Sequence, residues 1–258
     1  MRISRAPWYH SPVNVAFSLP GAITIIMSSL VLAVGAGAGL ASLAWRAGDD
    51  AKITHLNTGI WALVGSLVGG RALYVVLHWS YFQNNLAEAI QVYRGGLAWA
   101  GALIGAMVAM LFLSRISQRP FGELADMLIP LVFAISVSAW LGCWLTGCAY
   151  GLPTQAWWAL PAMDEWGVIA ARVPVQLLAI LLTSVLFWRV SIRRKHTHTP
   201  GQTAGLLFIG VSFIYFLSTY LRGDPVPVWA GLRWDAWAAL SFSIAGLTYS
   251  FKLNQTSS

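Results

Sequence analysis

Long apolar runs alternate with short polar connections along almost the whole chain. Seven of these runs, near 20–45, 55–79, 96–114, 124–150, 173–191, 203–221 and 233–251, are long enough for membrane spans. About 20 residues of helix cross a hydrocarbon core. The pattern predicts an all-α integral membrane protein of about seven transmembrane helices, folded as one domain over 1–258. The first run follows a polar lead and is long enough to span, so a cleaved leader is not expected.

Composition agrees with the pattern. The chain is 57% hydrophobic and 10% charged, against about 25% charged in soluble domains. The net charge of +7 does not point to nucleic acid, because the basic residues sit mainly at the ends of apolar runs, as membrane anchors do. Arg46, Lys52, Arg115, Arg119, Arg189, Arg193, Arg194, Lys195 and Lys252 fall on one side of the expected topology. Arg2, Arg5, Arg94 and Arg222 fall on the other, with Arg172 and Arg233 at its edge. Cytoplasmic loops carry the excess of Lys and Arg, which places the N-terminus outside and the C-terminus inside. The connection 152–171 has no basic residue and carries Trp157, Trp158 and Trp166, which suits an outer-leaflet surface. No internal repeat is visible, which weakens a transporter reading. His196 and His198 read as solvated loop residues, and neither metal nor cofactor is expected.

Some polar groups stand where a membrane should be. Arg71 lies inside the second run, and Tyr74 and His78 follow on roughly the same helical face. An intramembrane charge is costly and marks a functional candidate. A guanidinium also suits a lipid phosphate, because it meets two oxygens in one plane and stays charged. The structural alternative is an arginine that snorkels or pairs with Asp126 or another carboxylate. Asp126 itself reads as a helix N-terminal or ion-pairing residue, Gln176 as a helix-to-helix hydrogen-bond partner. Asp164 and Glu165 read as solvated. Arg222-Gly-Asp224-Pro reads as a turn with a local ion pair or as an anion contact.

The glycines Gly142, Gly147 and Gly151 sit in one short stretch with both cysteines, Cys143 and Cys148. This is poor helix material, read either as a close helix contact or as a broken helix end lining a cavity. On a straight helix the two cysteines point about 140° apart, so they could meet only if the stretch bends. Otherwise they are small apolar filler, or thiols activated by a cation such as Arg71 or Arg222.

Taken in order, these fragments resemble the bacterial prolipoprotein diacylglyceryl transferase family. The likeness rests on Gly69-Gly70-Arg71-Ala-Leu-Tyr74, on Gly95-Gly96 through Gly105, and on Asp126 and Pro130 leading into Gly142–Gly151. It continues in Val173-Pro174-Val-Gln176, Leu221-Arg222-Gly-Asp224-Pro, Gly231-Leu232 and Trp237. It implies a multi-pass enzyme of the bacterial cytoplasmic membrane. Such an enzyme moves diacylglyceryl from phosphatidylglycerol, or another anionic phospholipid, to the cysteine thiol of a lipoprotein precursor. The catalytic candidates are then Arg71, Arg222, Cys148 and His78, with His10 a second possible base. The substrate-binding candidates are Gly70, Gly95, Gly96, Gly142, Cys143, Gly147, Gln176 and Asp224. The chain departs from the family pattern at Ser28, Ala100, Trp140, Cys143, Cys148, Tyr215 and Thr219, where the family has polar or charged residues. Those departures set a second expectation beside the first: a catalytically silent lipid- or peptide-binding protein of the same fold.

Overall fold

The computed structural model describes residues 15–19, 23–92, 96–164, 166–193 and 199–256. It is a helical bundle in which each predicted apolar run contains a helix. These are α1 (Met27–Arg46), α2 (Gly48–Leu77), α4 (Trp99–Ser117), α6 (Ile129–Thr146), α7 (Val175–Arg193), α8 (Gln202–Thr219) and α9 (Trp234–Thr256), with short helices α3 (Trp79–Phe82) and α5 (Phe121–Met127) between them. Among the described residues six helices, α1, α2, α4, α6, α7 and α8, are long and apolar enough to cross a membrane. The seventh, α9, has the length, but Asp235, Ser241, Ser243, Thr248 and Ser250 dilute its apolar character.

Two boundaries differ from the sequence expectation. The first run does not start as helix: Val15–Leu19 (β1) and Ile23–Ile26 (β2) pair antiparallel before α1 begins. Ile23-Thr-Ile-Ile is β-branched throughout, which favours strand. The fourth run is split at Leu128 into α5 and α6, and Pro130 occupies the first turn of α6, where its missing N–H costs nothing. Two further hairpins lie in the connections, β3 (Leu160–Met163) with β4 (Ile169–Arg172) and β5 (Val228–Trp229) with β6 (Leu232–Arg233). Ala230 and Gly231 both have positive φ, the two-residue turn that matches strand twist.

Helix packing rests on small residues. Gly65 and Gly69 of α2 face Gly105 and Gly101 of α4 so closely that a Cβ on any of the four would strike backbone of the other helix. This is the small-xxx-small contact of membrane helices, made by two such pairs running antiparallel. Gly35 and Gly39 of α1 lie on Ser138, Leu131 and Ala134 of α6 in the same way.

The bundle has two unlike ends. At the end where α5 lies, Leu43, Ala62, Met110, Leu124, Leu128 and Leu131 form one apolar core, and Ile129, Phe187, Val190 and Leu207 form another. There Asp126 accepts the backbone N–H groups of Gly201 and Ala204 at 2.7 and 2.8 Å. It caps the start of α8, a helix N-terminal role taken at another helix and not at the start of its own run, since Asp126 lies in the last turn of α5. The opposite end, where α6 finishes and α7 begins, holds all four charged residues buried among the described ones: Arg71, Asp164, Arg172 and Asp235.

Candidate functional site

Three clusters make up the polar end. The first surrounds Arg71, one and a half turns before α2 ends. Its Nε donates to the Ala89 carbonyl at 2.7 Å, one Nη to the Glu88 carbonyl at 2.7 Å and the other to the Gly96 carbonyl at 3.0 Å. Its guanidinium also lies over the rings of Tyr74 and Phe82, at 5.5 and 5.4 Å. His78 stacks on Tyr74 with ring centres 4.3 Å apart, so the expected Arg71–Tyr74–His78 face is present. Its use differs from the lipid-phosphate expectation. The guanidinium is turned to loop carbonyls, which satisfy its fork in a site it shares with two aromatic faces. Gly70 and Gly96 serve the same closure rather than standing open for a substrate. The Ala98 N–H donates to Gly70 O at 3.0 Å, and Gly96 has φ +81° and no room for a Cβ beside Tyr74. Gly95, His10, Glu165, His196 and His198 lie outside the described residues.

The second cluster joins two Arg-x-Asp triplets, Arg222-Gly-Asp224 after α8 and Arg233-Trp-Asp235 at the start of α9. Arg222 grips Asp224 in a fork, Nε to Oδ1 at 2.7 Å and Nη2 to Oδ2 at 2.5 Å. Its remaining Nη reaches the Tyr215 hydroxyl at 2.8 Å and Asp235 at 3.2 Å. Arg233 reaches both Asp224 and Asp235 at 3.1 Å. Each aspartate therefore meets both arginines, and the formal charges cancel. Burial opposes charge on Arg222, but Tyr215, Asp224 and Asp235 hold the guanidinium above its usual range. Burial alone would raise the Asp224 carboxyl; the Arg222 bonds and the Arg233 charge hold it below the usual carboxylate range instead. The local ion pair expected of Arg222 and Asp224 is present. Arg233 and Asp235 were missed, although the repeated triplet was a readable signal.

The third cluster is the end of α6. Gly147 ends the helix in the left-handed conformation, φ +71°, and the chain turns so that Cys143 and Cys148 form a disulfide with Cα atoms 4.5 Å apart. The bend that would let them meet is real. It corrects both other readings: neither cysteine is filler, and Cys148 has no thiol to act as a nucleophile in this state. Gly142 lets Ser28 of α1 approach, with a Cβ there meeting Ser28 at 3.3 Å. Gln176, 1% exposed, donates from Nε2 to the Cys148 carbonyl at 3.0 Å, joining α7 to the turn after α6 where a helix-to-helix bond was expected.

Beyond the disulfide the chain runs through a small sheet. Leu152 N–H donates to Leu221 O at 2.9 Å, Gly223 N–H to Tyr150 O at 2.8 Å, and Val173 N–H to Leu152 O at 3.0 Å. The stretch 150–154 thus lies between β4 and the Arg222 segment. Asp164, expected in solvent, is buried against Arg172 at 3.0 Å, and Arg172 lies 4.7 Å from the Tyr150 ring. The hairpin folds back and pairs the charges; sequence spacing gave no sign of it.

The clusters meet at an aromatic seam. Tyr215 stacks on Trp99 at 4.2 Å and lies 5.7 Å from Trp140, and Phe242 packs on Trp99 at 5.6 Å. Trp140 and Tyr215 are among the positions that departed from the resemblance, and here they are stacked together. Trp99 Nε1 and Gln176 Oε1 are buried without a hydrogen-bond partner. Such orphans are costly and call for a polar contact. A separate groove of about 780 Å³ runs along α1, α6 and α7, lined mainly by apolar side chains such as Val34, Phe133 and Phe187.

Fold and site together define a multi-pass membrane protein with its buried charges gathered at one end of the bundle. A family model described as prolipoprotein diacylglyceryl transferase matches residues 14–252. The chain is 28% identical over 244 residues to the phosphatidylglycerol–prolipoprotein diacylglyceryl transferase of Finegoldia magna, covering 93% of this chain and 95% of that one. It is 31% identical over 160 residues to the enzyme of that name from Thermosynechococcus vestitus, covering 56% and 57%. With the one from Listeria monocytogenes it shares 38% over 96 residues, covering 37% and 34%. This chain belongs to the prolipoprotein diacylglyceryl transferase family.

Proposed function

We propose that the protein is a phosphatidylglycerol–prolipoprotein diacylglyceryl transferase of a bacterial cytoplasmic membrane, with seven spans, the N-terminus outside and the C-terminus inside. The observation that carries the activity is the family match over nearly the whole chain. Two features support the orientation. Nine of the sixteen basic residues belong to the α5 side, and the polar end carries exposed Trp157, Trp166 and Trp229, suited to a membrane interface.

In this reaction the precursor's cysteine thiolate attacks the glyceryl methylene of the lipid. A carbon–sulfur bond forms, the carbon–oxygen bond to phosphate breaks, and glycerol phosphate leaves with the electron pair. The developing phosphate charge needs a fixed cation. Arg222 takes that role, because Arg233 already contacts Asp224 and keeps it neutralised when phosphate displaces it from the Arg222 fork. Trp99 Nε1 donates to a phosphate or glycerol oxygen. Gln176 Oε1 accepts from the bound substrate, and the glycines at the α6 end let neighbouring backbone pack close behind it. His78 takes the thiol proton; of the two histidines among the described residues, His55 lies at the far end of α2. Arg71 positions the loop that leads into Trp99.

The test is mass spectrometry of a lipobox peptide incubated with the purified protein in phosphatidylglycerol vesicles. A gain of one diacylglyceryl group is expected, and none in vesicles of phosphatidylethanolamine alone. Arg222→Ala is expected to abolish the gain. Lipid binding by the wild type with no mass gain would overturn the enzyme reading in favour of a binding protein.

A further inference from the structure

The Cys143–Cys148 disulfide closes a loop of only five residues' separation. A crosslink over so short a loop constrains the unfolded chain least, so its purpose is local. Around it the backbone turns sharply. Gly147 takes φ +71° at no steric cost, but Ala149 holds φ +52°, and a residue with a Cβ stays in that region only where its surroundings impose it. The Cys148 N–H returns to Cys143 O at 3.0 Å, and its carbonyl takes the Gln176 amide. Immediately beyond, Tyr150, Gly151 and Leu152 supply the backbone bonds that dock the Arg222 segment. Both cysteines are half-buried and not sealed in the core.

We infer that the Cys143–Cys148 pair is a client site for an extracytoplasmic dithiol–disulfide oxidase, and that the bond it installs is the clasp that sets the 148–154 stretch against the Arg222–Asp224–Arg233–Asp235 network. One cysteine thiolate attacks the oxidase disulfide to form a mixed disulfide, and the second thiolate attacks that bond and expels the oxidase thiolate. The two client thiols give up two protons and two electrons, and the oxidase disulfide becomes a dithiol. Thiols persist on the reducing side of the membrane and disulfides on the oxidising side. The oxidase therefore rests on the outward orientation proposed above, whereas the clasp rests on the geometry alone.

The experiment uses intact cells and the purified full chain. In cells, a membrane-impermeant maleimide polymer is expected to add nothing before reduction and two units after it. Labelling without prior reduction, or labelling that needs a permeant reagent, would overturn the oxidase partner. On the purified protein, hydrogen exchange is followed with and without reductant. Amides of 148–154 and 221–223 are expected to exchange about tenfold faster on reduction, a local opening, while those of α2 and α4 stay unchanged. Cys143→Ser, Cys148→Ser and the double variant are expected to match the reduced wild type and to ignore reductant. Unchanged exchange on reduction would sink the clasp. Transferase turnover measured on the same samples should fall with the opening. A wild type that never turns over would count against the proposed activity and leave the exchange result standing.

Discussion

Arg222 shows at the residue scale why burial and partners have to be weighed together. Its guanidinium is out of bulk water, yet three neighbours accept from it or oppose its charge. Breaking a buried pair leaves the survivor uncompensated, typically at about 3–5 kcal/mol. Asp235→Asn, which strips charge from both arginines' shared partner, is expected to lower stability by that order in a detergent unfolding series. Asp224 sets a pH limit. Its folded-state carboxyl is held below its ordinary value, so its stabilisation is complete above about pH 4, the unfolded carboxylate value. It is lost as pH falls through the lower folded value. The unfolding midpoint should therefore show no pH dependence from this group between pH 5 and 8 and a decline below about pH 4. Asp224→Asn should be weaker at neutral pH and lack that decline.

Among the elements, the α2–α4 pair and the β3–β4 hairpin make contrasting use of their surfaces. The α2–α4 contact is backbone against backbone at Gly65, Gly69, Gly101 and Gly105, so added volume has nowhere to go. Gly69→Leu is expected to force the helices apart at a cost of at least about 1–3 kcal/mol. Gly37→Ala, on α1 with nothing within 4 Å of a new Cβ, should be neutral or stabilising by up to about 1 kcal/mol. Thermal unfolding in one detergent compares the two. The hairpin and the segment leading into it instead present Trp157, 95% exposed, with Trp166 and Ile169, and the hairpin buries its charges as the Asp164–Arg172 pair. Aromatic side chains of that kind sit at the headgroup level. In nanodiscs, lipids brominated near the headgroup should quench the wild type more than a Trp157→Leu, Trp166→Leu variant. Equal quenching in the two would place the hairpin in water.

On the scale of the whole molecule, the alternation of apolar runs and basic connections decided that the chain crosses a membrane and roughly where each helix lies. That information is local, because hydrocarbon demands about 20 apolar residues in a row whatever the neighbours are. Individual residues were legible for the same reason. Arg71, Gln176 and Asp126 stood out as polar groups in apolar runs, and Arg222-Gly-Asp224 as a turn with opposite charges in reach. What each one contacts was not legible. Only the fold turned Arg71 onto the carbonyls of Glu88, Ala89 and Gly96, crossed the two Arg-x-Asp triplets and folded Asp164 onto Arg172. The meeting of Cys143 and Cys148 likewise depended on a left-handed turn at Gly147. Burial and pairing are set by segments far apart in the chain, so a pattern read along one strand of sequence could name the polar groups but not their partners.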